Sequence, residues 1–201
     1  MDLDRYKSPS QRARVFSEKW VQSNLSCPAC IHSLTKAPNN TKVRDFVCPI
    51  CSDAFELKSK RGSFGPIVAD GAYQSMVDII RSGRAPHLVL LSYTSDYAVR
   101  DVIAIPNRFL IEEIVIPRPP LGEHCRRAGW QGCNLNVAML PPDGKVAYVS
   151  NFEKRPAEDV RSEWNRTAFL DRLDSSSRGW LTLTMSLVRS IGKQEFCLRK
   201  R

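Results

Sequence analysis

The chain has 201 residues, 42% of them hydrophobic, and its 30 Lys+Arg against 21 Asp+Glu give a formal charge of +9. That length suits one compact domain with a sizeable core, and no segment approaches the roughly 18 continuous apolar residues of a membrane span. The start, MDLDRYKSPS, lacks the apolar core of a secretory signal, so a cytoplasmic protein is expected, and the basic excess favours a polyanionic partner.

In chain order, residues 8–23 read as a helix. Ser8 is the N-cap, Pro9 suits the first helical position, Gln11 has capping-box spacing, and Ala13, Phe16 and Trp20 share a face. Residues 25–60 read as short strands and turns carrying cysteines. The linker KRGSFGPIVAD leads to a helix from about Asp70 to Arg81 with Ala72, Met76 and Ile79 inward. HLVLLSYT (87–94) and VRDVIAIP (99–106) read as strands. RFLIEEIVI reads as a helix turning into a strand, with pattern alone leaving the choice open. Residues 117–134 are basic and punctuated by proline and glycine, a long loop or loop pair. A strand near KVAYVS and helices near 156–173 and 180–193 follow, the last with Trp180, Leu183, Leu187 and Ile191 on one stripe. Helices alternating with strands predict an α/β sheet core.

Cys27-Pro28-Ala29-Cys30 and Cys48-Pro49-Ile50-Cys51 are separated by 17 residues. This spacing fits a structural zinc site, because two intervening residues let both thiolates of a pair face one tetrahedral ion. Four thiolates close the shell, so such a zinc would take no part in catalysis. Seven cysteines without a secretory signal argue against a full disulfide framework. His32 is expected at the surface, and Cys125, Cys133 and Cys197 as packing thiols.

Asp45 precedes the second cysteine pair, and Glu56-Leu57-Lys58 follows it. If the flanking strands pair about Cys48–Cys51, Asp45 lies opposite Ala54 or, with a slight shift, opposite Glu56. In either register Asp45, Glu56 and Lys58 share a face, and the Leu57 side chain turns toward the core. Two carboxylates and a lysine on a strand are either a solvated face or a metal-dependent hydrolytic site. In the second reading Asp45 and Glu56 hold magnesium, with Leu57 counted in its shell, and Lys58 positions the attacking water.

These residues carry a resemblance. Asp45 with Glu56-x-Lys58 is similar to the PD-(D/E)xK nuclease signature in a degenerate form, since Arg44 and not proline precedes Asp45. SQRARVFSEKWV, CPAC, DFVCPICSDAFELKSKRGSF, DGAYQSM, RRAGWQGCN and SSSRGW, in that order from about Tyr6 to Trp180, resemble the DpnI-like, Dam-replacing restriction endonucleases. The resemblance implies a PD-(D/E)xK restriction-endonuclease-like α/β core (a mixed sheet flanked by helices) with an inserted zinc knuckle. It implies magnesium-dependent cleavage of double-stranded DNA at GATC sites with methylated adenine. In its terms Asp45, Glu56 and Lys58 are catalytic, Cys27, Cys30, Cys48 and Cys51 bind zinc, and the protein is monomeric. The nuclease domain is expected over 1–180. Residues 181–201 are expected to be a helix and basic tail, without the winged-helix domain that begins there in the family. The alternatives are a methylated-DNA reader without turnover and a nuclease of the same fold with altered specificity.

The resemblance also places Trp130 where the methyl groups are sensed, and its neighbourhood suits that. Arg126 and Arg127 can contact phosphates or guanine edges, and an exposed indole offers an apolar face to a methyl. Lys60, Arg61, Ser176 and Arg178 are further expected DNA contacts, with Ser175–Arg178 ahead of the Trp180 helix as a helix-terminus phosphate site.

Overall fold

A computed structural model describes residues 5–6, 8–38 and 44–198, with side chains described as far as residue 188 apart from Ser175. Its strands are β1 (Thr35–Lys36), β2 (Phe46–Val47), β3 (Ala54–Arg61), β4 (Ile67–Ala72), β5 (His87–Tyr93), β6 (Val99–Ile105), β7 (Val115–Pro117), β8 (Gly132–Asn136), β9 (Val146–Ser150) and β10 (Glu153–Lys154). Its helices are α1 (Pro9–Asn24), α2 (Tyr73–Arg81), α3 (Ala157–Arg166) and α4 (Ser175–Leu198). No helix among the described residues is long and apolar enough to cross a membrane. The chain forms two compact units, the first comprising Met1–Phe64, Pro86–Asn107 and Val146–Ala168, the second the remainder.

The first unit holds a seven-stranded mixed sheet in the order β1-β2-β3-β5-β6-β9-β10. Among the described residues of this sheet only the β3–β5 pair is parallel, and the other pairings are antiparallel. All seven residues of β5 are buried, as an apolar central strand requires. One cluster joins Phe46 and Phe55 to Val89, Leu91 and Tyr93, to Val102 and Ala104, and to Val160 and Trp164 of α3. Phe16 and Val21 of α1 enter the same cluster, with Ala13 and Trp20 packed beside it. The α1 start is as expected: Ser8 Oγ accepts from the Gln11 N–H at 3.1 Å, which satisfies one of the helix's orphan donors.

The second unit is a three-stranded antiparallel sheet, β4-β8-β7, packed against α2. Two of its strands run through segments that the sequence reads otherwise, β4 largely in the linker and β8 beginning inside the expected loop at Gly132. The buried face of α2 is Met76, Val77 and Ile80, in place of Ala72, Met76 and Ile79, because Ala72 ends β4 and the helix begins at Tyr73. RFLIEEIVI resolves into two 3-10 turns followed by β7. Arg108, only 2% exposed, is held by Asp171 at 2.7 Å.

The C-terminal stripe is corrected. Helix α4 starts at Ser175, and residue 180 falls within it. Trp180 and Leu187 are exposed (67% and 64%), and the buried position is Thr182. Gly179 also lies on the inner side, where a Cβ would come within 3.3 Å of the Glu113 carboxylate. The side chains of Ile191 and Cys197, and the basic tail from residue 199, lie outside the described residues.

Candidate active site and metal centre

The two cysteine pairs fold as matching knuckles. In each, the first cysteine's carbonyl accepts from the N–H four residues on, Ile31 to Cys27 at 2.8 Å and Ser52 to Cys48 at 3.0 Å. Both closing residues have φ of 64°, the left-handed turn that redirects the chain under the sulfurs. The four Sγ atoms lie within 4.8 Å of one another. Three of their separations are 3.5 Å (Cys27–Cys51), 3.4 Å (Cys30–Cys48) and 3.9 Å (Cys30–Cys51). A tetrahedral ion with zinc–sulfur bonds of about 2.3 Å requires edges of about 3.8 Å, so the cluster fits zinc. Burial pushes the Cys51 thiol up to about 12 and Cys27 further still. At Cys48 burial opposes ionisation, but the amides of Cys51 and Ile50 outweigh it and bring the thiol down to about 7.

The second knuckle is tied to the core through Asp53. Its carboxylate lies 3.7 Å from Nε2 of His87 and 4.0 Å from Cys27 Sγ. His87 is buried between Phe55 and Trp164, and its Nδ1 accepts from the Asn107 N–H at 2.9 Å, which leaves the proton on Nε2. His32 is at the surface, and Cys133 is buried. Cys125 is exposed, not a packing thiol, because it sits in a surface turn where its N–H donates to the Gly122 carbonyl at 3.0 Å.

The hairpin register decides between the two sequence alternatives. Phe46 pairs Phe55 and Val47 pairs Ala54, which sets Asp45 against Glu56. The shift arises because the connection runs to Asp53, whose carbonyl accepts from the Cys48 N–H at 2.9 Å, so the turn takes up two more residues than a symmetric knuckle. Asp45 then reaches two rungs of β3. Its N–H donates to the Phe55 carbonyl at 2.8 Å, and its Oδ2 accepts from the Leu57 N–H at 2.7 Å. On β3, Lys58 Nζ meets Glu56 Oε1 at 2.5 Å, both side chains being about four-fifths buried. The Leu57 side chain packs against the core, as alternation requires. Lys60 and Arg61 continue the strand, exposed.

Sequence reading alone misses what α1 brings to Asp45. A cavity of about 360 Å³ is lined by Arg14, Ser17 and Glu18 of α1 together with Asp45, Leu57 and Ser59. Glu18 is 8% exposed and receives Arg14 Nε at 2.6 Å and Lys36 Nζ at 2.7 Å. Burial would raise its pKa, but the two cations prevail and lower it, so the carboxylate stays charged. Periodicity carried no signal for it, because Ala13, Phe16 and Trp20 mark one side of α1 as apolar and Glu18, two residues after Phe16, falls on the other.

In the second unit, the segment read as a loop is a closed hairpin end. Arg118 N–H donates to the Gly132 carbonyl (2.9 Å), Leu121 N–H to Trp130 (2.9 Å), and Gly129 N–H back to Leu121 (2.8 Å). Trp130 is partly buried, not exposed, because two guanidinium groups approach its ring, Arg127 at 4.7 Å and Arg118 at 5.7 Å from the centroid. Gly132 makes the Arg118 placement possible: a Cβ there would lie 2.0 Å from the guanidinium. Arg126 is exposed on the same hairpin end.

The placement of Ser175–Arg178 ahead of the helix is corrected. These residues form the first turn of α4 instead of preceding the helix, and Asp174 caps it. The Asp174 carboxylate accepts from the Ser177 N–H at 3.0 Å and from the Ser177 hydroxyl at 2.6 Å, so the helix terminus already holds an anion. Ser176 and Arg178 line a cavity of about 510 Å³ with Tyr73, Glu112 and Glu113.

The model of the Dam-replacing family, described as DpnI, matches residues 2–173. The match spans both cysteine knuckles, the Asp45–Lys58 hairpin and the Trp130 turn, and stops just before α4. The chain therefore belongs to the DpnI, Dam-replacing family.

Proposed function

We propose that the protein is a methylation-dependent restriction endonuclease that hydrolyses double-stranded DNA with magnesium at GATC sites carrying 6-methyladenine, on a PD-(D/E)xK core. Family membership supports the restriction-endonuclease class and DNA as partner. The observation that carries the chemistry is the Asp45 carboxylate, fixed on the Leu57 amide beside the Glu56–Lys58 pair.

Asp45 and Glu56 offer hard oxygen donors of the kind magnesium takes. The Leu57 N–H points to Asp45, and a strand residue directs its N–H and C=O to the same edge, so the Leu57 carbonyl would complete the set. A bound magnesium would supply charge stabilisation and a more acidic water. Lys58, held by Glu56, orients that water and offsets the charge developing on the phosphate. Cleavage of a synthetic duplex with one methylated GATC, titrated with magnesium, tests this reading. Cutting that needs magnesium and methylation supports it, and cutting that ignores methylation overturns the specificity.

The cysteine cluster would hold a structural zinc through Cys27, Cys30, Cys48 and Cys51. Because the Cys27 and Cys51 thiols are held protonated, zinc must displace about two protons from them. Protons compete with the metal at every thiol, so affinity is expected to rise by at least about a hundredfold per pH unit near neutrality. A competitive chelator titration at several pH values measures this, and a flat profile would contradict it.

Trp130 would sense the methyl groups from the hairpin end, with Arg126 and Arg127 contacting the DNA backbone. Burying two methyls contributes roughly 1.6 kcal/mol, near fifteen-fold. Trp130→Ala is therefore expected to lower the preference for methylated over unmethylated duplex by about that factor, as read by paired binding titrations.

A further inference from the structure

Arg14 is bound to its helix by one nitrogen only. Its Nε is pinned to Glu18, while its side chain is 66% exposed at the cavity that also contains Asp45. Among the described residues, no hydrogen-bond partner meets its two terminal nitrogens. Glu18 is immobilised by burial and by Lys36 on its other oxygen, so the guanidinium is fixed at its base and open at its end. An exposed i,i+4 pair needs neither a buried carboxylate nor a second cation, since such a pair contributes only a few tenths of a kcal/mol. The Arg14–Glu18–Lys36 group carries a net positive charge beside a carboxylate proposed to hold magnesium. The cavity's remaining polar lining consists of the hydroxyls of Ser10, Ser17 and Ser59. A planar fork with two parallel N–H donors, flanked by hydroxyls, matches the two unesterified oxygens of a phosphodiester.

We propose that Arg14, held by Glu18 and Lys36, is a positioning residue that clamps a DNA phosphate next to the one cleaved at Asp45. This rests on the nuclease reading above.

The test is equilibrium binding to a methylated GATC duplex in calcium, which is expected to support binding without turnover, from 50 to 200 mM salt, for the parent, Arg14→Ala and Arg14→Lys. Arg14→Ala is expected to weaken binding about tenfold and to reduce the salt slope by about 0.9, the value of one phosphate contact. Arg14→Lys should keep the slope, since the charge remains, and lose part of the affinity, since the fork is gone. Melting curves check the fold, and Arg14→Gln serves if alanine disturbs α1. Alanine or glutamine variants with parental slope and affinity would overturn the clamp alone. An unchanged slope with tighter magnesium binding would assign the cavity to a second cation and also overturn it. A parent that binds no duplex would overturn the clamp and the nuclease reading together.

Discussion

Asp45→Ala is expected to reduce cleavage of methylated duplex by at least about 10³-fold while duplex binding stays within about twofold. Losing one of two carboxylates that hold a charge-stabilising cation forfeits roughly 4 kcal/mol of transition-state stabilisation, and each 1.36 kcal/mol is tenfold in rate. In metal-free buffer the substitution removes a negative charge facing a polyanion, so it cannot weaken that binding electrostatically. It also strips the Leu57 N–H of its acceptor, at a cost to stability of about 1 kcal/mol. Asp45→Asn separates the two effects. Its amide oxygen can still accept from Leu57, so stability should recover while cleavage does not. Single-turnover rates with melting temperatures measure both, and an active asparagine variant would place the metal elsewhere.

Removing zinc is expected to abolish cleavage as well, by a different route. The second knuckle sets the register that faces Asp45 with Glu56, and β2 is only two residues long. Two hydrogen-bonded residues cannot hold that register alone, because an isolated short hairpin is at best marginally stable. Cys48→Ala, at a fully buried sulfur, should lose the metal and several kcal/mol of stability, or about 10 °C or more in melting temperature. Elemental analysis, melting and cleavage should fall together. A variant with the metal gone and activity intact would show that the hairpin keeps its register unaided.

How much of this was legible in the sequence depends on what each segment's residues announce. The CxxC spacing is a local signal set by coordination geometry, and both knuckles form where it predicts. The alternation of Glu56, Leu57 and Lys58 is likewise local, but the register opposite Asp45 was open, because the turn length depends on the Cys48–Asp53 hydrogen bond. Strand β4 was hidden by Gly62, Gly65 and Pro66, which read as linker although the pairing with β8 supplies what local pattern lacks. Trp130 looked exposed from its polar neighbours, yet Arg118, twelve residues away in sequence, comes over its ring. The α4 stripe failed for the opposite reason. Its period is helical, but what the structure buries is Gly179 and Thr182, small residues that periodicity does not weigh. Glu18 was passed over because a charged helix residue is normally solvated, and only the tertiary pairing with Lys36 shows it buried.

The most direct measurement compares plasmid DNA from adenine-methylating and non-methylating hosts, each incubated with the zinc-loaded protein and magnesium. Fragments matching the spacing of GATC sites, from the methylated plasmid only, are the predicted result. Two intact plasmids, with binding to the methylated one retained, would contradict hydrolysis at Asp45, Glu56 and Lys58 and leave a DNA reader in its place.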